Sequence, residues 1–430
     1  MPNQHRLNVI AKLDRRLVST RGGTRHILLD LAAPKEPRPE ADQRPPLNLA
    51  LVIDASGSMD GGPLDAAKAA AAGLIDQMTA RDRITLVTFA DDIIVHADAL
   101  AADAAGCARL AAEVNGLVTR GCTNLAGGWL EGADRVRRAM ADLGVAQNRV
   151  IVLSDGHANR GICDPETLAL KAAALRTAGV YTSCVGIGDG YSPVQLEAIA
   201  EHGGGRMHDA PLGEDIIATV MGELGEILGT FADNLTVTVA HPRLLPLALL
   251  GPYPKHVDDG RLVVHAGTLV SGARRRVVLQ AVVPAGQVGD RFPVVIEVTW
   301  RDAEGLPNAA KPVLVELALA PAVEVAAELP DLDTCRTVAE MWHRHVLHAS
   351  TLLNAEGRCD EARALVDEHL PRFADYCRDL PGTAHLVQDL ESHGQVVFRP
   401  MAPGHSKGIA MSAFMDLRSE TDYRRNRRGR

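Results

Sequence analysis

Leu47-Asn48-Leu49-Ala50-Leu51-Val52-Ile53-Asp54-Ala55-Ser56-Gly57-Ser58 decides how this chain is read. The first seven residues form a nearly continuous apolar run, as expected of a strand buried on both faces of a parallel sheet. The next five place one carboxylate and two hydroxyls on a tight turn at the strand's carboxyl end. These are hard oxygen donors, suited to Mg²⁺, Mn²⁺ or Ca²⁺ and poorly suited to zinc. Further along, Gly121-Cys122-Thr123-Asn124 opens a helical stretch with a third hydroxyl. Val150-Ile151-Val152-Leu153-Ser154-Asp155-Gly156 is a second apolar strand that ends in a carboxylate.

Strands are expected at 47–53, 83–89, 93–97, 149–154 and 180–186, with 206–209 at an edge. Helices are expected near 63–79, 107–118, 124–142, 165–178 and 193–202. Pro63 and Asp164-Pro165 mark helix starts, and Gly179 and Gly203 mark stops. Alternating β and α elements with short links imply a doubly wound, mostly parallel α/β sheet. Ligands bind such sheets at the carboxyl ends of the strands, where Asp54 and Asp155 fall and Thr123 sits on a loop before a helix.

With these pieces in this order, residues 46–212 resemble the von Willebrand factor A domain family and its metal-ion-dependent adhesion site, D-x-S-x-S…T…D. The resemblance implies a metal set of Asp54, Ser56, Ser58, Thr123 and Asp155. Ser56, Ser58 and Thr123 would touch the ion, with Asp54 and Asp155 mostly behind water or accepting hydrogen bonds from the ligands. It implies Mg²⁺ as the resident cation, with Mn²⁺ or Ca²⁺ as alternatives. One open coordination position would take an Asp or Glu of a protein partner, because the ion is the largest local charge in such a site.

Catalysis with the same residues is the rival reading, as a metal-dependent hydrolase or transferase. It needs a general acid or base nearby, and His157 is the one imidazole beside the motif; it reads better as a loop histidine. No catalytic residue is assigned. A strand-end phosphatase motif fails because position 56 is Ser, and Asp82, Asp91 and Asp92 read as solvated turn residues. Gly186-Ile187-Gly188 does not continue into a dinucleotide fingerprint, nor is there a Walker-type loop, so no organic cofactor is expected. A structural subunit whose metal serves folding alone is the third reading.

Composition suits a soluble cytoplasmic protein. The 430 residues allow two to three domains. A net charge of −9 argues against general nucleic-acid binding. The start, Met1-Pro2-Asn3-Gln4-His5-Arg6, has no apolar secretory core, and no apolar run is long enough to span a bilayer. The seven cysteines are an odd, scattered set without a C-x-x-C pair, which reads as reduced thiols.

The flanks differ in character. Residues 1–45 carry strand-like stretches at 7–13, 16–20 and 26–31 and a Pro-rich linker. About 30 residues of strand cannot bury a core alone. Their expected partners are strands within 232–322, giving a β-sandwich with the α/β domain inserted and a connecting helix at 213–231. Residues 331–398 read as a helical bundle, in which His343, His345 and His348 are packing or surface residues. Residues 399–430 read as a flexible tail ending in five arginines within 424–430. That tail could engage an acidic partner or nucleic acid, and Ile409–Leu417 before it would suit a docking peptide.

Overall fold

A computed structural model describes residues 6–35, 44–144, 146–188, 190–211, 213–242 and 245–418. The chain opens with β1 (Asn8–Leu13), β2 (Leu17–Ser19) and β3 (Gly23–Ala32). An α/β succession follows: β4 (Leu47–Asp54), α1 (Gly62–Ile75), β5 (Arg83–Phe89), β6 (Ile93–Ala101), α2 (Ala104–Asn115) and α3 (Leu125–Leu143). It continues with β7 (Gln147–Ser154), α4 (Pro165–Thr177), β8 (Tyr181–Ile187), α5 (Pro193–His202), β9 (Gly204–Ala210) and α6 (Gly213–Leu228). Strands then return as β10 (Thr230–Ala240), β11 (Leu247–Leu250), β12 (Lys255–Asp258), β13 (Arg261–Val270) and β14 (Arg274–Val283). After β15 (Arg291–Arg301), β16 (Pro307–Ala309) and β17 (Val313–Ala320) come α7 (Ala322–Ala327), α8 (Leu332–Ala355), α9 (Cys359–Cys377), α10 (Ala384–Gly394) and α11 (Pro403–Arg418).

The central sheet runs β6-β5-β4-β7-β8-β9, parallel except for the β5–β6 pair. Strands β4, β7 and β8 are buried along their whole length, because helices cover both faces. One face packs Leu49, Leu51 and Ile53 against α1 and α6, and the other packs Ala50 and Val52 against α3. From β4 the chain moves outward to β5 and then crosses back to β7 on the other side. The β4 and β7 ends therefore flank the point where the winding reverses, which is the crevice such sheets use for ligands.

Helix α3 can lie close to this sheet because it carries glycines. A Cβ on Gly128 would stand 2.5 Å from the Phe89 side chain, and one on Gly132 2.6 Å from Val52. Helix α4 starts as expected, with Asp164 accepting from the Thr167 amide at 2.8 Å and Pro165 in the first turn; α1 has Pro63 in its first turn but Gly61 before it and no side-chain cap.

Two further sheets, β1-β3-β14-β11 and β12-β13-β10-β15-β17-β2, combine strands from both ends of the chain. They share one buried cluster in which Ile27, Leu29 and Leu31 meet Val237, Val277, Val294 and Leu317. On its other face, the first sheet offers Leu28, Leu250 and Val278 to Val338, Trp342 and Phe373 of the C-terminal helices. The buried Arg149–Asp233 pair (2.6 Å) and a hydrogen bond from Thr268 to the Gly204 carbonyl (3.0 Å) join these sheets to the α/β layer.

Several expectations need correction. Helix α6 ends at Leu228 rather than 231, and Thr230 and Phe231 already belong to β10. More than a connector, α6 packs Ile216, Val220 and Leu224 into the α/β core. Asp82 is not a solvated turn residue but fully buried. It pairs with Arg44 at 2.5 Å and accepts from the Leu47 and Thr79 amides, both at 2.7 Å. Asp91 and Asp92 do sit exposed, paired with Arg160 and Arg120. The flexible tail expected from 399 is a helix over 403–418. Met411, Phe414 and Met415 pack into the α/β core while Ala413 and Leu417 pack with the helices. The arginine-rich end, 424–430, lies outside the described residues.

The histidine trio of α8 is divided among separate partners. His343 pairs with Asp389 (2.9 Å), His348 with Glu197 (3.4 Å), and the His345 ring stands edge-on to His369.

Candidate functional site

Three loops meet at the β4/β7 ends, stapled to one another through the backbone. The Gly57 amide donates to the Gly121 carbonyl (3.2 Å), and the Arg120 amide donates to Ala55 (2.5 Å). The Asn159 amide donates to the Thr123 carbonyl (3.2 Å), while the Thr123 amide donates back to the Asn159 side chain (3.1 Å). Gly161 makes the last approach tolerable. Its φ is +70°, and a Cβ there would stand 2.5 Å from the Asn124 amide oxygen. Asn124 is thereby held as the N-cap of α3, accepting from the Gly127 amide at 3.1 Å.

This scaffold brings all five sequence-predicted residues together. The Asp54 carboxylate accepts from the Ser56 amide (2.8 Å) and, on its other oxygen, from the Ser154 hydroxyl (2.6 Å). The Ser56 and Ser58 hydroxyls are 3.1 Å apart, and Ser58 donates to Asp155 at 2.7 Å. A Cβ on Gly156 would lie 3.2 Å from the Thr123 hydroxyl, which it would crowd, and 3.9 Å from Asp54, in ordinary contact. Asp54, Ser56, Thr123 and Asp155 are buried, and Ser58 and Gly57 open the site to solvent.

The electrostatics suit a cation. Burial pushes the Asp54 carboxyl up to about 6, the Asp155 charge adds to this, and the hydrogen bonds from Ser154 and Ser56 oppose it. Burial also raises Asp155, against the hydrogen bond from Ser58. Two crowded carboxylates and three hydroxyls form a donor set for a hard divalent ion. Among the described residues, no three His, Cys, Asp or Glu side chains gather into a metal-sized group. The donors here are instead mainly hydroxyls.

The sequence reading missed Ser154 and Asn159, which position Asp54 and Thr123. Ser154 lies beside Asp54 because β4 and β7 run parallel with Ile53 opposite Leu153; the equal position of the two residues at their strand ends was the available signal. His157 is exposed and lines a neighbouring cleft with Cys163. The Gly186–Gly188 turn is packed differently from a phosphate loop: a Cβ on Gly186 would strike the Tyr191 ring, and the Gly188 carbonyl accepts from Lys407.

Comparison with known proteins agrees with the geometry. The family model for the von Willebrand factor type A domain matches residues 48–217. An uncharacterized Synechocystis protein is 33% identical over 161 residues, covering 37% of this chain and 36% of that protein. Inter-alpha-trypsin inhibitor heavy chain H3 of Rattus norvegicus is 28% identical over 233 residues, covering 52% of this chain and 26% of its own length. The matches thus span only about a third and a quarter of those relatives.

Among solved structures, von Willebrand factor type A from Catenulispora acidiphila aligns over 98% of both chains, with a TM-score of 0.68 and 18% identity. The ArnB paralog VWA2 from Sulfolobus acidocaldarius aligns over 96% of this chain and 98% of its own, with a TM-score of 0.60 and 14% identity. At these identities the likeness is one of fold. With the strand order, the site geometry and the family match in agreement, residues 48–217 of this chain are a von Willebrand factor type A domain.

Proposed function

We propose that the chain is a metal-ion-dependent protein-interaction module, with Ser56, Ser58 and Thr123 as direct ligands and Asp54 and Asp155 orienting them. The observation that carries this reading is the convergence of these five residues at one spot: Asp54, Ser56, Ser58 and Asp155 are linked by hydrogen bonds, and Thr123 borders them across Gly156. Mg²⁺ is the cation we assign. When bound, it supplies an open coordination position for a partner's Asp or Glu. Neutral hydroxyls in the inner shell leave most of the ion's charge available to that carboxylate. Ser154 and Asn159 hold Asp54 and Thr123 in place, as groups around a metal site orient its ligands.

We read the activity as docking rather than catalysis. His157, the imidazole nearest in sequence, is exposed and lines the cleft beside the site. We also read the two flanking sheets as one β-sandwich into which the A domain is inserted between β3 and β10; their shared buried cluster supports this. On this reading the units are 1–45 with 230–322, the A domain from 46 through α6 at Leu228, and a helical region from 331. No helix among the described residues is long and apolar enough to cross a membrane. We assign a cytoplasmic location, supported by seven cysteines that all stand as separate thiols.

The test is recovery of partners from host lysate by tagged protein in Mg²⁺, in EDTA and with Asp54→Ala. A partner captured only with metal and intact Asp54 is the expected result. Equal recovery in all three would sink the docking reading.

A further inference from the structure

Beside the metal site lies a cleft of about 490 Å³ between the A domain and the C-terminal helices. Pro165 and Val194 line one wall, Leu352 of α8 the other, and Met401 and Ala410 close it. This volume is within the range of specific ligand pockets.

The loop 156–163 belongs to both features. On one side, Asn159 is bonded to Thr123, and Gly161 packs on Asn124. On the other, His157 and Cys163 line the cleft, and Gln195 fixes the loop by accepting from the Ala158 amide (3.0 Å) and donating to the Cys163 carbonyl (2.9 Å). A single residue, Gly156, separates Asp155 from His157, so their Cα atoms are at most about 7 Å apart.

The cleft walls are fixed. Glu197 of α5 pairs with His348 of α8, and Lys407 of α11 sits 4.0 Å from the Tyr191 ring centroid and 3.5 Å from Asp209. Among the described residues lining the cleft, Lys407 is thus matched by Asp209 and the Glu356 carboxylate by Arg358 (2.9 Å), which leaves an apolar demand at Val194, Leu352, Met401 and Ala410. The uncompensated charge lies next door, where a bound cation would face solvent through Ser58.

Resting on the metal-docking reading, we propose that the partner is recognised through two adjoining contacts. An Asp or Glu of an extended partner segment completes the metal shell, and a large apolar side chain two or three positions away fills the Val194–Leu352 cleft. One contact makes the other intramolecular, so a short motif gains affinity beyond either alone. Burying one leucine-sized side chain corresponds to roughly 10- to 100-fold in affinity.

The test uses the immobilised full chain, a phage-displayed random peptide library selected in Mg²⁺, and elution by EDTA. Eluted peptides are expected to share an acidic residue with a large apolar residue at a fixed spacing. Their synthetic forms should bind Val194→Arg and Leu352→Arg, on opposite walls, roughly 10- to 100-fold more weakly, with Mg²⁺ affinity unchanged. Acidic peptides without the apolar position, or with equal affinity for both variants, would overturn the cleft contact and leave metal docking standing. Apolar peptides that bind equally in EDTA would separate the cleft from the metal and overturn the pairing. If no peptide depends on metal, the docking reading fails and this inference fails with it. The selection itself uses only the unmodified chain, so a variant that folds poorly does not spare the proposal.

Discussion

Ser58 and Asp155, 97 positions apart in sequence, share a 2.7 Å hydrogen bond that closes the candidate site between the loops following two different strands. The contact exists because β4 and β7 are parallel neighbours in register from Leu47–Gln147 to Ile53–Leu153. A candidate site built this way depends on the sheet for its geometry.

Mg²⁺ should stabilise the protein by about 2.7 kcal/mol at a hundredfold excess over its dissociation constant. Asp54→Ala should lose this increment. It should also cost about 1–3 kcal/mol in EDTA, because the Ser154 hydroxyl and the Ser56 amide lose their acceptor. Melting curves in Mg²⁺ and EDTA check both. An equal Mg²⁺ shift in wild type and variant would exclude Asp54 from the site.

Gly128→Ala should destabilise the A domain by about 1–3 kcal/mol, since its Cβ would press on Phe89 in a filled core. Pushing α3 outward also moves Thr123 and Asn124 at its start. Weaker Mg²⁺ binding should therefore accompany the loss of stability, measured by urea unfolding and titration calorimetry. Weakened stability with unchanged Mg²⁺ affinity would uncouple the helix from the site.

Arg44→Ala should cost about 3–5 kcal/mol, because it strands a fully buried carboxylate. Burial alone would raise Asp82, but the hydrogen bonds from Arg44, the Leu47 amide and Thr79 outweigh it and hold the carboxyl below its ordinary value. A lowered native pKa gives stability that is present above the unfolded carboxyl value of about 4 and lost as pH falls through the native one. Acid unfolding should therefore begin at higher pH in Arg44→Ala, as followed by circular dichroism.

His348 has the opposite sign. Burial lowers it, but the Glu197 charge and hydrogen bond and the Ala410 carbonyl outweigh this and raise it above the usual imidazole value. Its contribution is complete below about pH 6.5 and fades as pH rises through the raised native value. The stability difference between wild type and His348→Gln should shrink with rising pH. A difference constant from pH 6 to 9 would mean that the Glu197 contact is not ionic.

Phe414→Ala should cost about 3–5 kcal/mol, as for other buried phenylalanines. If α11 is integral to the A-domain face, limited proteolysis should then open both α11 and the loop before α5. Cleavage confined to α11 would make it a detachable element.

The central sheet and its site were legible because the evidence is local. Strands buried on both faces write continuous apolar runs, as Val150–Leu153 does, and capping residues such as Asp164 mark the helix starts. What could not be read is decided by packing at a distance. Asp82 looks like any turn aspartate until Arg44, three positions before β4 and 38 before Asp82, folds onto it. The Met411–Leu417 segment is too short and too mixed to declare which surface it will cover, and its two faces proved to cover two different cores. The parallel pairing of β2 with β17 is likewise set by the rest of the sheet, since three residues of strand carry no register signal of their own.

The pairing of β3 with β14 also has a consequence for synthesis. His26 meets Gln280 across 254 positions, in a register running from Ala32–Arg274 to Gly23–Val283. At about 5–20 residues per second, roughly 13–50 s pass on the ribosome between making β3 and making its partner. Through that interval β3 can pair with β1 on one side only, and its other edge, with Ile27, Leu29 and Leu31, is of the type that recruits strands from other chains. The nascent protein thus passes through a window in which β3 lacks the β10, β14 and β15 residues that bury it in the folded chain.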